Sequence, residues 1–381
     1  MLFSHIPGQN QSKSYLEKLV QADRVPHAML LTGPKGNAKL MFALALSVSL
    51  MCQEEEGLGS CGTCTDCIKA KKYIHPDIHF SFPVCSIEGK KRDETTSTQF
   101  LGQWRSFIQS TPWGGLENWL MHIKSANKTL NINVTECNQI IKNLSLRKYE
   151  GRYKIQIIWQ SEFLGKEGNR LLKLIEEPTP DTIIILIADK QDMILNTVIS
   201  RCQIIKIPPF SDDAIQTFLQ EKYSGLSSIE ETIRLASGDL RLAIELAEGD
   251  QKSWDQVLLQ LLRCTYSGKF SEMFELVAEL TSLGKDEIQA FCFYTIHFLK
   301  EYMKAYYTGS FDNIRLADKE RQTASRMMNV IDPEMALKIT QLMERNLVEL
   351  QRNANSKIVW SATMMEVEQI LKQKKIARNI A

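Results

Sequence analysis

Up to about residue 208 the chain alternates two hydrophobic patterns, and beyond that point it keeps only one. Short, largely apolar runs at 28–31, 154–159 and 182–187 predict buried strands of a parallel sheet, and 203–207 a further short strand before Pro208-Pro209. Between them, 14–20, 40–51, 134–146 and 168–177 carry apolar residues at helical spacing, the last stopped by Pro178 and Pro180. Strands alternating with helices predict an α/β fold with a parallel sheet. Trp104, Phe107, Trp113 and Trp119 predict a packed helical segment, whereas 88–98 is polar and reads as an exposed linker with no core pattern. After Pro208-Pro209 only helices are expected: short ones at 211–223, 229–236 and 240–247, then long ones from Trp254 onward. In 335–352 the residues Ala336, Ile339, Met343, Leu347 and Leu350 make one apolar face. The expected division is an α/β domain over 1–208, a small helical lid over 209–250 and an all-α domain over 251–381.

The first predicted strand runs directly into Gly33-Pro34-Lys35-Gly36-Asn37-Ala38-Lys39-Leu40 and then a helix, the context of a phosphate-binding loop. A working loop reads G-x-x-x-x-G-K-[ST]: glycines let backbone N–H groups wrap phosphate, the Lys reaches the β and γ oxygens, and the hydroxyl holds Mg²⁺. Gly33, Gly36 and Lys39 remain. Ala38 replaces the last glycine and brings a Cβ against phosphate approach, and Leu40 replaces the metal-holding hydroxyl. The second core strand of such a site should end in an acidic pair, one carboxylate for Mg²⁺ and one for water. Here it ends in Trp159-Gln160-Ser161, and Glu162 lies beyond the place from which it would face a metal. The loop is therefore degenerate, and productive ATP binding by this chain is not expected. Lys39 and the positive end of the following helix leave bare nucleotide binding open.

Two arginines stand out. Arg201, between Ser200 and Cys202, lies on a connection between a helix and a strand, where its guanidinium could reach a neighbour's phosphates, although a single Arg is most often a solvated charge. An arginine finger supplied in trans is worth about 10³–10⁵ in rate, roughly 4–7 kcal/mol. Arg241 begins a lid-like helix and reads either as a γ-phosphate contact or as a salt-bridge partner.

With 381 residues, 44% hydrophobic and 24% charged, the chain is long enough for two or three domains. A net charge of +1 gives no global pull toward nucleic acid or membrane. The small basic groups Lys69, Lys71, Lys72 and Lys90, Lys91, Arg92 read as solvated faces. Met1 to His5 lack the pattern of a secretory leader and no run of about 18 apolar residues occurs, so a cytoplasmic protein with no membrane partner is expected. Cys52, Cys61, Cys64 and Cys67 are spaced C-x8-C-x2-C-x2-C, with Gly59, Gly62 and Thr65 as turn residues. Four thiolates satisfy a tetrahedral Zn²⁺ with no position left for water, which predicts a structural zinc site. His75 and His79 read as surface or capping residues, and Cys85, Cys137, Cys202, Cys264 and Cys292 as small buried hydrophobes.

Taken together, the 24–34 stretch Arg24-Val25-Pro26-His27 to Gly33-Pro34, the four-Cys module, Tyr149-Glu150-Gly151-Arg152, and Asn169-Arg170-Leu171-Leu172-Lys173 to Glu177-Pro178 resemble bacterial AAA+ clamp-loader subunits of DNA polymerase III. Ser200-Arg201-Cys202 is similar to that family's arginine-finger motif, and Arg352-Asn353-Ala354-Asn355 with its following helix to the family's collar domain. Motor subunits of the family (gamma/tau) keep an intact loop and an acidic pair. The departures at Ala38, Leu40, Trp159 and Gln160 place the resemblance with the delta-prime class, which lacks a functional nucleotide site and keeps the finger. The resemblance implies an AAA+ α/β domain, a helical lid and a helical collar. It implies delta and gamma/tau subunits as partners, with the sliding clamp and primed DNA reached through the complex. A self-sufficient gamma/tau-like ATPase with a divergent loop is the alternative. The 86–129 stretch exceeds the family pattern and carries no functional expectation.

Overall fold

The computed structural model describes the chain apart from residues 55–59, 88, 90–91, 126–128, 224–228, 249–253, 352–353 and 381, and apart from the side chains of 92, 285–286, 351 and 373–380. Gly59, Lys90, Lys91, Arg352 and Asn353 thus lie outside the described residues, as does the side chain of Arg92. Two compact units are present: residues 1–222 with 237–242, and residues 223–236 with 243–381. The stretch 209–250, expected as one lid, divides between the two.

The first unit is built on a five-stranded parallel sheet of β1 (Ala28–Thr32), β2 (Ile78–Ser81), β3 (Lys154–Trp159), β4 (Thr182–Ala188) and β5 (Gln203–Lys206), ordered β2-β3-β4-β1-β5. β1, β3 and β4 have neighbours on both sides and are buried at every position, which is why their sequences are mostly apolar; in β3 the buried Lys154 and Gln156 are accommodated by hydrogen bonds, to the Leu144 carbonyl at 2.6 Å and the Ser81 hydroxyl at 3.1 Å. β2 was not foreseen: four residues at the sheet edge, including His79 and Ser81, carry too little apolar signal. Against the sheet pack Lys39–Met51, buried throughout, and Val134–Ser145.

Two expectations need correction. The 168–177 stretch is not one α-helix: a 3₁₀ segment, Ser161–Leu171, precedes a short α-helix, Leu172–Glu176. Gly165, at φ 49°, breaks the helical path there with a conformation costly for other residues. Nor is 88–98 simply an exposed linker, because Thr95 and Ser97 are buried. The Asn133 amide donates to the Thr95 carbonyl at 2.7 Å, and the Ser97 N–H donates to buried Glu136 at 2.7 Å. Such burial rests on hydrogen bonds, to which a hydrophobicity pattern is blind.

Beyond that polar knot, Leu101–Ser110 and Leu116–His122 bring Trp104, Phe107 and Trp119 together, while Trp113, expected in the same helical segment, lies in the turn between them. Trp104 stacks on Phe82 with ring centroids 4.2 Å apart and meets Trp119 edge-on at 5.4 Å. The second unit is all-helical in its described residues, with Trp254, Phe291, Tyr294, Tyr302 and Trp360 in its core. Ala336, Ile339, Met343, Leu347 and Leu350 all face that core.

Candidate functional site

In parallel α/β sheets ligands bind beyond the carboxyl ends of the strands. Here β1, β3 and β4 lead at that end into Gly33, Gln160 and Asp189, around the degenerate loop. Lys39 is buried, and its ammonium donates to the Gly33 carbonyl at 2.8 Å and the Pro34 carbonyl at 2.6 Å while pairing with Asp189 at 2.9 Å. Burial holds its pKa below the usual lysine value, against the opposing pull of Asp189. Asn37 donates to the Ile207 carbonyl at 2.8 Å and accepts from the Lys39 N–H at 3.2 Å, so that one of the loop's own amides is already engaged. Ala38 sits at φ −80°, where a Cβ is harmless. Gly36 is at φ +68°, and a Cβ there would fall 1.7 Å from the Asp239 carboxylate, so only glycine fits.

The 86–129 stretch supplies the rest of the site. Its Pro112–Glu117 segment lies over the loop: Glu117 accepts from the Lys35 ammonium at 2.8 Å, and Trp113 packs edge-on against Phe210 and Phe218. Burial raises the Glu117 pKa, but Lys35 and then Arg241 outweigh it and hold the carboxyl below its usual value. Trp159, at the place of the metal-holding acid, is buried with its ring centroid 5.0 Å from that of Trp104. What remains is a cavity of about 30 Å³ bordered by Lys39, Trp113, Trp159, Asp189 and Arg241.

Gln160 donates to Asp189 at 3.1 Å, and Glu162 accepts from the Asp189 N–H at 3.1 Å, which ties that carboxylate to the backbone after β4. Burial raises the Glu162 pKa. Arg241 pairs with Asp239 at 3.3 Å. Sequence reasoning missed Asp189, Asp239 and Glu117. Asp189 could have been found as the first acid after a predicted strand, whereas nothing in the local sequence ties Glu117 to a loop eighty residues earlier.

Arg201 stands apart from this cluster, exposed just after the short helix Asn196–Ile199 and before β5. Its Nε–H donates to Glu176, and its Nη1 donates to the Thr197 carbonyl at 2.9 Å and the Ser200 hydroxyl at 3.3 Å. Cys202 is half-buried rather than buried, unlike Cys85, Cys137, Cys264 and Cys292.

The four cysteines of the module do converge. Their sulfurs lie within 4.8 Å of one another, Cys61 and Cys67 at 3.9 Å, near the edge of about 3.8 Å that Zn–S bonds of about 2.3 Å set in a tetrahedron. The N–H groups of Cys61, Cys64 and Cys67 donate to the sulfurs of Cys52, Cys61 and Cys64 at 3.3 to 3.4 Å, while burial pushes the Cys52 and Cys67 thiols up. The Cys61 thiol, held by the N–H of Cys64 and of Thr63, is lowered to about 6. A closed four-sulfur set can bind a metal and leaves no site for substrate. Thr65–Lys71 is a helix, so the module is less loop-like than the sequence suggests. His75 is buried, not at the surface: its Nδ1 accepts from the Asp77 N–H at 3.1 Å and its Nε2 lies 3.5 Å from Asp66.

Comparison with known proteins adds to this geometry. The chain is 28% identical over 204 residues to DNA polymerase III subunit delta' of Bacillus subtilis, a match covering 53% of this chain and 48% of that protein. The chain thus spans about half the length of that relative. Identity to the Escherichia coli delta' subunit is 24% over 269 residues, covering 69% and 67% of the two chains. The DNA polymerase III subunit gamma of Buchnera aphidicola from Acyrthosiphon pisum is 22% identical over 346 residues, covering 75% and 83%. Residues 8–211 match the family described as "DNA polymerase III, delta subunit". With more than half its length matched and both delta' and gamma relatives, this chain belongs to the DNA polymerase III delta-subunit family of clamp-loader proteins.

Proposed function

We propose that the chain is the non-hydrolysing, delta-prime-type subunit of a clamp loader, which places Arg201 at the nucleotide of a neighbouring gamma/tau-like subunit while sliding clamps are loaded onto primed DNA. The observation that carries this reading is the state of Lys39. Its ammonium is spent on two loop carbonyls and Asp189, and the segment carrying Trp113 and Glu117 lies over the loop, with Glu117 on Lys35. Arg201, by contrast, is exposed, and among the described residues its guanidinium keeps the N–H groups of Nη2 unengaged. In this reading 1–208 is the AAA+ domain, 209–250 the lid and 251–381 the collar, and Cys52, Cys61, Cys64 and Cys67 hold a structural zinc. Gly33, Gly36 and Lys39 are remnants of a site this chain no longer uses, and Arg241 is a structural partner of Asp239.

The test is reconstitution with delta and gamma/tau subunits. Arg201→Ala is expected to leave assembly intact and to lower DNA-stimulated ATP turnover by about 10³-fold at the site it serves. Unchanged turnover in the assembled variant removes the mechanism. The gamma relative favours a second reading, a self-sufficient ATPase. Mg²⁺-dependent turnover by the isolated chain would support it and overturn the first.

A further inference from the structure

Arg201 is held as a finger before any neighbour arrives, and the holding group is Glu176. An arginine has five N–H donors: one on Nε and two on each terminal nitrogen. Nε–H is taken by the Glu176 carboxylate, and Nη1 by the Thr197 carbonyl at 2.9 Å and the Ser200 hydroxyl at 3.3 Å. Nη2 has no partner among the described residues, so three of the five N–H donors are engaged and the two on Nη2 are left for a ligand. Glu176 is itself well anchored. It ends the helix Leu172–Glu176 next to buried Ile175, whose carbonyl accepts from His27 Nε2 at 2.9 Å, while Pro178 prevents the helix from continuing. The carboxylate thus ties the connection before β5 to a helix braced on the strand side of the domain.

We propose that Glu176 is the positioning residue of the arginine finger: it orients the Arg201 guanidinium so that Nη2 points at the phosphates of a nucleoside triphosphate bound by the neighbouring subunit. The inference rests on the function proposed for Arg201. An exposed Arg that had to find its geometry during each encounter would lose side-chain freedom at that moment. One fixed through three of its donors has already done so. A displacement of about 1 Å can cost about a hundredfold in rate, so removing the anchor should be felt in turnover and little in nucleotide affinity.

The experiment is a double-mutant cycle in the reconstituted complex, with assembly checked by size-exclusion chromatography and DNA-stimulated ATPase measured as kcat and KM separately. Glu176→Ala is expected to lower kcat by about ten- to a hundredfold with KM for ATP within twofold. Glu176→Gln, which keeps an oxygen to accept from Nε–H, should retain most of the activity. Combined with Arg201→Ala, either variant should cost nothing further, because the two residues act as a unit. If the Glu176 and Arg201 losses multiply, or if Glu176→Ala raises or preserves turnover while Arg201→Ala lowers it, Glu176 does not position the finger. If Arg201→Ala itself has no effect, the finger reading fails and this inference with it.

Discussion

Asp77 shows how one side chain fixes a turn that carries no regular structure. Its carboxylate accepts the N–H groups of Tyr149, Glu150 and Gly151 at 2.7, 2.9 and 2.7 Å. Burial pushes its pKa up, but these three donors more than offset that, and the net shift is downward. A carboxylate with a lowered folded-state pKa contributes stability in full above its unfolded value of about 4, and loses it as the pH falls through the folded value. Asp77→Asn should therefore cost about 1–3 kcal/mol at pH 7. Urea unfolding of the two proteins should show that gap narrowing toward pH 3, and a gap independent of pH would mean that the charge is not what holds the turn. The Tyr149-Glu150-Gly151 triplet was legible in the sequence only as part of a family resemblance, because its acceptor sits more than seventy residues away.

Among elements, the four-Cys module has little apolar support of its own in its described residues. Its helix Thr65–Lys71 buries Asp66, Cys67 and Ala70, and the Cys64 sulfur caps its first turn. A core so small does not offset the entropy of ordering the segment, whereas structural zinc contributes apparent binding energies of roughly 10–16 kcal/mol. The purified chain is expected to hold one zinc per molecule, measured by a colorimetric chelator after thiol modification. Cys64→Ser should lose it, with faster hydrogen exchange over 65–71 and little change in the sheet. A zinc-free wild-type protein with a protected 65–71 helix would show that packing alone suffices. The four converging sulfurs were readable from spacing alone, since C-x2-C turns bring cysteines together locally. The insertion was not: its aromatic positions were evident, but their partners Phe82, Trp159 and Phe210 come from three other elements.

On the scale of the whole molecule, the loss of a nucleotide site proposed above involves several segments at once. Restoring the loop alone, with Ala38→Gly and Leu40→Thr, leaves Glu117 on Lys35, Asp189 on Lys39 and Trp159 where a metal-holding acid would be. Isothermal titration with Mg²⁺ and ATP is therefore expected to show no binding by that double variant in the micromolar range. Micromolar affinity would mean that the Pro112–Glu117 segment moves aside at little cost.

The amino-acid sequence by itself determined the alternation that makes a parallel sheet, the switch to helices after Pro208-Pro209, the four metal-competent sulfurs and the departures from a phosphate-loop pattern at Ala38 and Leu40. Each is written in local spacing, which fixes local geometry. Only the tertiary structure decided what fills the space above the loop, which acid engages Lys39, and that Glu176 holds Arg201. Those are meetings of residues distant in the chain, and they follow from how the strands are ordered and how side chains pack, which periodicity does not encode.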